Sequence, residues 1–305
     1  MSTTSAPAAP SRTALIVAFF LVYVVWGSTY LAIRYAIETL PPFLMASTRF
    51  LVAGGLLYAW SRMFAGAARP GRAQWNATAV VGALLLLGGN GLVVWSEQRV
   101  PSGVAALVVA VVPVFMVLID WLRPGGARPT ARVVTGLVLG LLGVAWLIGP
   151  DSLVGGGRVD LLGAAVLVLA CLSWSLGSIY QRHAPMPASP ALSTAMQMLA
   201  GGVALLVVGS ALGEFGSTNV AAFSLRSLLG LAYLIVFGSI VAFSAYVWLL
   251  KSSSPARVAT YAYVNPVVAV FLGWALASEP LTPRMLGAAV VIVSGVALIT
   301  LAPKR

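Results

Sequence analysis

Apolar runs of about twenty residues recur ten times along this chain, and a helix of that length crosses the roughly 30 Å hydrocarbon core of a bilayer. The runs lie near 14–33, 43–64, 75–95, 101–121, 130–149, 160–181, 190–213, 225–249, 256–277 and 283–302. They are continuous over twice the length of a transmembrane barrel strand and do not alternate, so helices are predicted rather than strands. The longest gap, around 62–74, is too short for a soluble domain, which confines any chemistry to the bundle interior or its mouths. Composition agrees. Of 305 residues, 60% are apolar and 8% charged, with a mean hydropathy of +0.99, values that exclude both a soluble enzyme and a disordered chain. The predicted fold class is an all-α integral membrane protein with ten transmembrane helices.

The segment 1–12 is rich in Ser, Thr, Pro and Ala and is expected to lack order. The apolar run that follows is longer than a signal-peptide core and ends at Arg34 without a cleavage site, so the first span is expected to be retained. A single cysteine, Cys171, and a single histidine, His183, leave no means of building an intrachain disulfide or a multi-histidine zinc site. No metal or cofactor is expected.

With ten spans both termini fall on one side. If that side is cytoplasmic, twelve of the eighteen basic residues lie inside: Arg12, Arg62, Arg69, Arg72, Arg123, Arg128, Arg132, Arg182, Lys251, Arg257, Lys304 and Arg305. Arg34, Arg99, Arg158, Arg226 and Arg284 fall outside, and Arg49 lies within the second span. The positive-inside rule selects this orientation. The net charge of +11 is thereby explained as a topology signal facing anionic lipid, and no nucleic-acid partner is expected.

The two halves of the chain repeat each other at an offset of about 150 residues. Gly27-Ser28-Thr29-Tyr30 returns as Gly177-Ser178-Ile179-Tyr180, Val52-Ala53-Gly54-Gly55 as Leu199-Ala200-Gly201-Gly202, Pro101 and Pro113 as Pro255 and Pro266, and Gly143-Val144-Ala145 as Gly295-Val296-Ala297. Five spans is an odd number, so the second copy enters the membrane from the opposite side. An inverted repeat of this kind places a substrate site near the midplane between halves. The expected units are residues 13–149 and 150–305.

Trp26-Gly27-Ser28-Thr29-Tyr30, the late Pro266, Ser278-Glu279-Pro280-Leu281-Thr282 and Gly287-Ala288 resemble the EamA family of the drug/metabolite transporter superfamily. Within it the chain is similar to ten-helix exporters of small metabolites, including the YddG-type aromatic amino acid exporters. The resemblance covers the chain beyond residue 12. It implies a central cavity lined by spans one to four and six to nine, with five and ten peripheral, and alternating access between the halves. The acidic residue expected after the ninth span is present as Glu279, while Ser278 stands where glycine is common.

Several side chains at membrane depth are candidates for the cavity. Seven of the nine tryptophans, at 60, 75, 95, 121, 146, 248 and 274, fall near span ends as interfacial belt residues; Trp26 and Trp174 lie well inside. Tyr23, Trp26 and Tyr30 share one face of the first span, a pattern equally consistent with packing. Asn90, within Gly88-Gly89-Asn90-Gly91, and Asn265, four residues after Tyr261, are amides that lipid tolerates poorly, so they line a cavity or tie helices together. Gln197 and Ser244 are weaker candidates. Arg49 either snorkels to the interface or attracts an anionic substrate group. Pro113 and Pro266 disturb the carbonyls of Val109 and Ala262 and are candidate hinges. The predicted substrate-binding set is therefore Trp26, Tyr30, Arg49, Asn90, Trp174, Tyr261 and Asn265.

No carboxylate occupies the middle of a span, which argues against both a buried proton relay and an exporter of organic cations. An intramembrane hydrolase lacks a buried Ser-His or Asp-Asp pair, and a channel lacks a continuous polar lining. The predicted function is outward transport of small amphipathic metabolites, neutral and aromatic amino acids foremost. The expected setting is a bacterial-type inner membrane, with a small-molecule substrate and lipid as partners, as a monomer or weak homodimer.

Overall fold

The computed structural model describes residues 11–99, 108–154, 160–277 and 282–302, and helix is the regular secondary structure among them, with no strand. Seven helices are long and apolar enough to cross a membrane: α1 (Arg12–Ala36), α2 (Pro42–Met63), α3 (Arg72–Ser96), α6 (Leu161–His183), α7 (Pro190–Ala211), α8 (Leu225–Ser252) and α10 (Pro283–Thr300). Three more are α4 (Val112–Leu122), α5 (Ala131–Val154) and α9 (Tyr261–Ala277), the last preceded by the single turn Pro255–Ala259. Each of these three segments, taken with the short stretch leading into it, abuts residues outside the described set.

The helix starts follow from local chemistry. Ser189, Ser224, Ser254 and Thr282 each accept a hydrogen bond from the backbone N–H three residues on, satisfying a donor that the helix leaves open. Pro190, Pro255 and Pro283 follow three of these caps, at the position where a missing N–H costs nothing. Asp160 caps α6 by accepting from Gly163 N at 3.0 Å, which, with Arg99 at 3.2 Å, holds its carboxyl below the usual carboxylate range. The N-terminus of α2 is capped from a distance. Glu214, 170 residues away, accepts from Phe43 N at 3.1 Å and Leu44 N at 2.8 Å.

Packing follows a regular scheme. Helix α2 lies along α7, and α5 along α10; α3 and α4 pack on α6, while α8 and α9 pack on α1. In lipid such contacts depend on close van der Waals fit, which favours small residues where helices touch. Gly136 and Gly295 supply it between α5 and α10: a Cβ on Gly136 would stand 2.7 Å from the Gly295 carbonyl, and one on Gly295 2.8 Å from the Gly136 carbonyl. The Gly143-Val144-Ala145 and Gly295-Val296-Ala297 copies thus sit on helices that face each other.

Three helices are not α-helical throughout. Leu21–Val25 of α1, Ala83–Gly91 of α3 and Leu234–Phe243 of α8 are π-helical, a wider winding that is rare and recurs at functional sites. Nothing in the hydrophobic period of these runs distinguishes a π turn from an α turn, although the Gly88–Gly91 run falls inside one of them.

Around the prolines, the break in α4 lies just ahead of Pro113. The chain turns at Ala110–Val111, Val111 N donates to the Val108 carbonyl, and Pro113 occupies the first turn of α4. Pro266 lies inside α9, and the interruption of that span comes at Thr260, six residues earlier. Pro101 and the segment around Glu279 lie outside the described residues.

Candidate functional site

A cavity of 110 Å³ lies among α1, α2, α3, α6, α8 and α9 and the residues leading into α4. At about 10–15 Å³ per water it has room for several. Trp26, Arg49, Asn90, Trp174, Tyr261 and Asn265 all line it. Tyr30 belongs to α1, but its side chain lies outside the described residues.

The aromatic side chains form one cluster. Trp26 meets Trp174 edge-on at 5.7 Å between ring centroids, Tyr261 edge-on at 5.0 Å and Tyr246 at 5.0 Å, separations and angles typical of attractive aromatic pairs. Each polar edge is bonded. Trp26 Nε1 donates to the Gly238 carbonyl at 3.1 Å, which the π-helical stretch of α8 presents, and Trp174 Nε1 donates to Tyr246 Oη at 2.9 Å. Tyr246 Oη also lies 2.6 Å from Ser178 Oγ. Gly89 makes room for Trp174, because a Cβ there would sit 2.7 Å from the indole. Tyr246 is fully buried and central to the cluster, and sequence reasoning passed over it: close to a span end, a tyrosine reads as one more interfacial aromatic.

Arg49 does not snorkel. It is 4% exposed, and its Nε donates to Ser239 Oγ at 2.7 Å while the guanidinium lies 4.8 Å from the Phe50 ring centroid. Among the described residues no carboxylate pairs with it; the ion pairs there are Arg99–Asp160, Arg123–Asp120 and Arg226–Glu38. A buried charge normally requires a countercharge, so this side chain presents an unbalanced positive charge on the cavity wall. Ser239, like Gly238, lies in the π-helical part of α8 and carried no distinguishing sequence signal. Neighbouring Ser47 points elsewhere and donates to the Gly202 carbonyl on α7 at 2.9 Å.

The two asparagines differ. Asn90 Oδ1 is buried with no hydrogen-bond partner among the described residues. Asn265, in the amide orientation that satisfies its surroundings, donates from Nδ2 to the carbonyls of Tyr23 and Tyr261, both at 3.1 Å. It ties α9 to α1 as well as lining the cavity. Gln197 is away from the cavity, bonded to Ser193 at 3.1 Å, and Ser244 Oγ is buried with no hydrogen-bond partner among the described residues.

Toward the end of the bundle where Arg12 and Ala302 lie, side-chain bonds join the helices around the cavity. Tyr23 Oη, one turn before Trp26, lies 2.5 Å from Thr260 Oγ1 and ties α1 to the residue ahead of α9, and the Trp174–Tyr246–Ser178 chain ties α6 to α8. Of the seven belt tryptophans, Trp60, Trp75, Trp121 and Trp146 are exposed on the bundle surface, Trp95 and Trp248 pack partly against the core, and the Trp274 side chain lies outside the described residues.

A helical bundle of apolar spans around a cavity lined by an aromatic cluster and by Arg49, which has no countercharge among the described residues, defines a polytopic membrane protein. The chain belongs to the EamA-like transporter family, which it matches at residues 13–149 and again at 161–301. It is a membrane transporter of that type. It is 41% identical over 285 residues to the uncharacterized inner membrane transporter YedA of Escherichia coli (strain K12), covering 93% of this chain and 90% of that one. To the uncharacterized transporter YvbV of Bacillus subtilis (strain 168) it is 28% identical over 290 residues, 95% and 92% of the two chains. A solved crystal structure shares the fold, with a TM-score of 0.77 at 22% identity, covering 95% of this chain and 98% of that one.

Proposed function

We propose that the protein exports small amphipathic metabolites, neutral amino acids with large side chains foremost, across an inner membrane. The carrying observation is Arg49. A carboxylate is the group that an unpaired, desolvated guanidinium recognises best, through parallel charge-assisted hydrogen bonds. The substrate ammonium finds acceptors at Asn90 Oδ1 and at backbone carbonyls, and the side chain packs against Trp26, Trp174 and Tyr261. An organic cation would meet a like charge at Arg49.

In this reading ten helices span the membrane with both termini cytoplasmic, as two inverted five-helix halves, 13–149 and 150–305. The double match to one family and the packing of α2 on α7 and of α5 on α10, helices at equivalent places in the two halves, support it. Pro113 and Pro266 serve as hinges for alternating access. In this reading the bonds Tyr23–Thr260 and Trp174–Tyr246 lie toward the cytoplasmic ends of their helices and would have to part for the cavity to open on that side.

Uptake and counterflow in proteoliposomes with labelled amino acids, purine-type metabolites and organic cations tests the proposal. Transport of large neutral amino acids, lost when the carboxyl is amidated, is the expected result. Transport of organic cations alone would overturn it.

A further inference from the structure

At the end of the bundle where the described chain begins and ends, a second cavity of 340 Å³ opens between α4, α5, α6, α10 and the connection from α8 to α9. Four basic side chains line it, Arg128, Arg182, Lys251 and Arg257, against one acid, Asp120. That acid is already engaged, since Asp120 Oδ1 accepts from Arg123 Nε at 2.8 Å. Three of the cations are held in place by neutral carbonyls. Arg182 donates to Leu250 and, at 2.6 Å, to Ser253; Arg257 donates to Ala302 at 2.6 Å; Lys251 donates to Pro187 at 3.2 Å. Carbonyls fix these side chains without cancelling their charge. Arg128 makes no hydrogen bond or ion pair among the described residues. Thr130, the residue before α5, accepts from Val133 N at 3.3 Å and puts the positive end of this 24-residue helix at the cavity wall.

We propose that this cavity binds a phosphate group, with the phosphodiester of an anionic lipid headgroup as its source. The cations come from separate elements, Arg182 on α6, Lys251 on α8, Arg257 on the turn before α9 and Arg128 on the loop ahead of α5, which suits an anion with oxygens on every side better than a flat carboxylate. Val117, Val133 and Ile299 form the apolar part of the wall, and Leu122 and Leu301 beside it are exposed. The site therefore offers charge for a headgroup next to apolar surface for its acyl chains, as basic pockets between membrane helices do. The four cations draw on both halves of the chain.

The test uses the purified full-length protein in an uncharged detergent, titrated with phosphatidylglycerol, phosphatidylcholine or inorganic phosphate and followed by thermal unfolding and native mass spectrometry. Phosphatidylglycerol raises the unfolding midpoint and stays bound, whereas phosphatidylcholine does neither. In the double variant Arg128→Gln/Lys251→Gln the apparent affinity falls about tenfold or more. Arg12→Gln, at the same end of the bundle but outside the cavity, leaves it unchanged. Saturation by inorganic phosphate with no retained lipid would support the site and assign it to a soluble phosphate. If the double variant does not fold, the single Arg128→Gln, which breaks no contact, reads the same loss. Equal stabilisation by both lipids without phosphate binding, or an equal loss in Arg12→Gln, would overturn the proposal.

Discussion

Arg49 Nε donates to Ser239 Oγ at 2.7 Å, and this neutral hydroxyl is the one hydrogen-bond partner the guanidinium has among the described residues. The rest of its binding capacity is available to a solute. A hydrogen bond to a charged group contributes about 1.5–3 kcal/mol, so Arg49→Gln is expected to weaken apparent substrate affinity roughly ten- to hundredfold. Arg49→Lys keeps the charge but loses the fork and should fall between. Amidated substrate is a net cation that meets a like charge at Arg49, so Arg49→Gln should not lower its transport in liposomes relative to wild type.

Tyr246→Phe removes the hydroxyl that accepts from Trp174 Nε1 and lies within hydrogen-bonding distance of Ser178 Oγ. The indole N–H is then left unpaired in a buried setting, at a cost of about 1–3 kcal/mol. A lower unfolding midpoint together with reduced transport is expected. Trp174→Ala, which empties the wall itself, should reduce transport more strongly.

The asparagines separate binding from architecture. Asn90→Ala removes an acceptor that bonds to nothing among the described residues, so transport should fall while the unfolding midpoint in detergent stays close to wild type. Asn265→Ala releases the carbonyls of Tyr23 and Tyr261 and should lower both. Trp75→Ala, on the exposed surface, should change neither much. Equal transport losses for Asn90→Ala and Trp75→Ala would show that this cavity is not the substrate site.

Gly136→Leu introduces a side chain where the Gly295 carbonyl leaves no room. Overpacking costs typically about 1–3 kcal/mol, and a backbone contact yields less than a side chain does. The unfolding midpoint should drop, whereas Gly216→Leu, with nothing near its Cβ position, should be tolerated.

Orientation is checked with single cysteines at Ser152 and Ser253 in a Cys171→Ser background. Cys171 is buried, so its replacement removes an already shielded thiol. An impermeant thiol reagent added to intact cells should label position 152 and spare 253. The opposite pattern would reverse the topology.

Class, helical content and most helix starts were legible in the sequence, because each depends on residues close together. Twenty apolar residues need a bilayer wherever they occur, and Thr282-Pro283 starts a helix whatever lies nearby. Depth within a span singled out Trp26 and Trp174 in the same way. Tyr246, Ser239 and Gly238 were not legible, since each matters through a partner on another helix: Tyr246 through Trp174, Ser239 through Arg49, Gly238 through Trp26. The same holds for Arg49 itself. Its depth in α2 permits either snorkelling or burial, and the sequence fixes neither. What decides is the packing of α2 against the π-helical part of α8, which buries the guanidinium and brings up a hydroxyl in place of a carboxylate. Hydropathy determines that a helix crosses the membrane; which of its faces meets the cavity depends on how tightly its neighbours pack, and that exists only once all the helices are assembled.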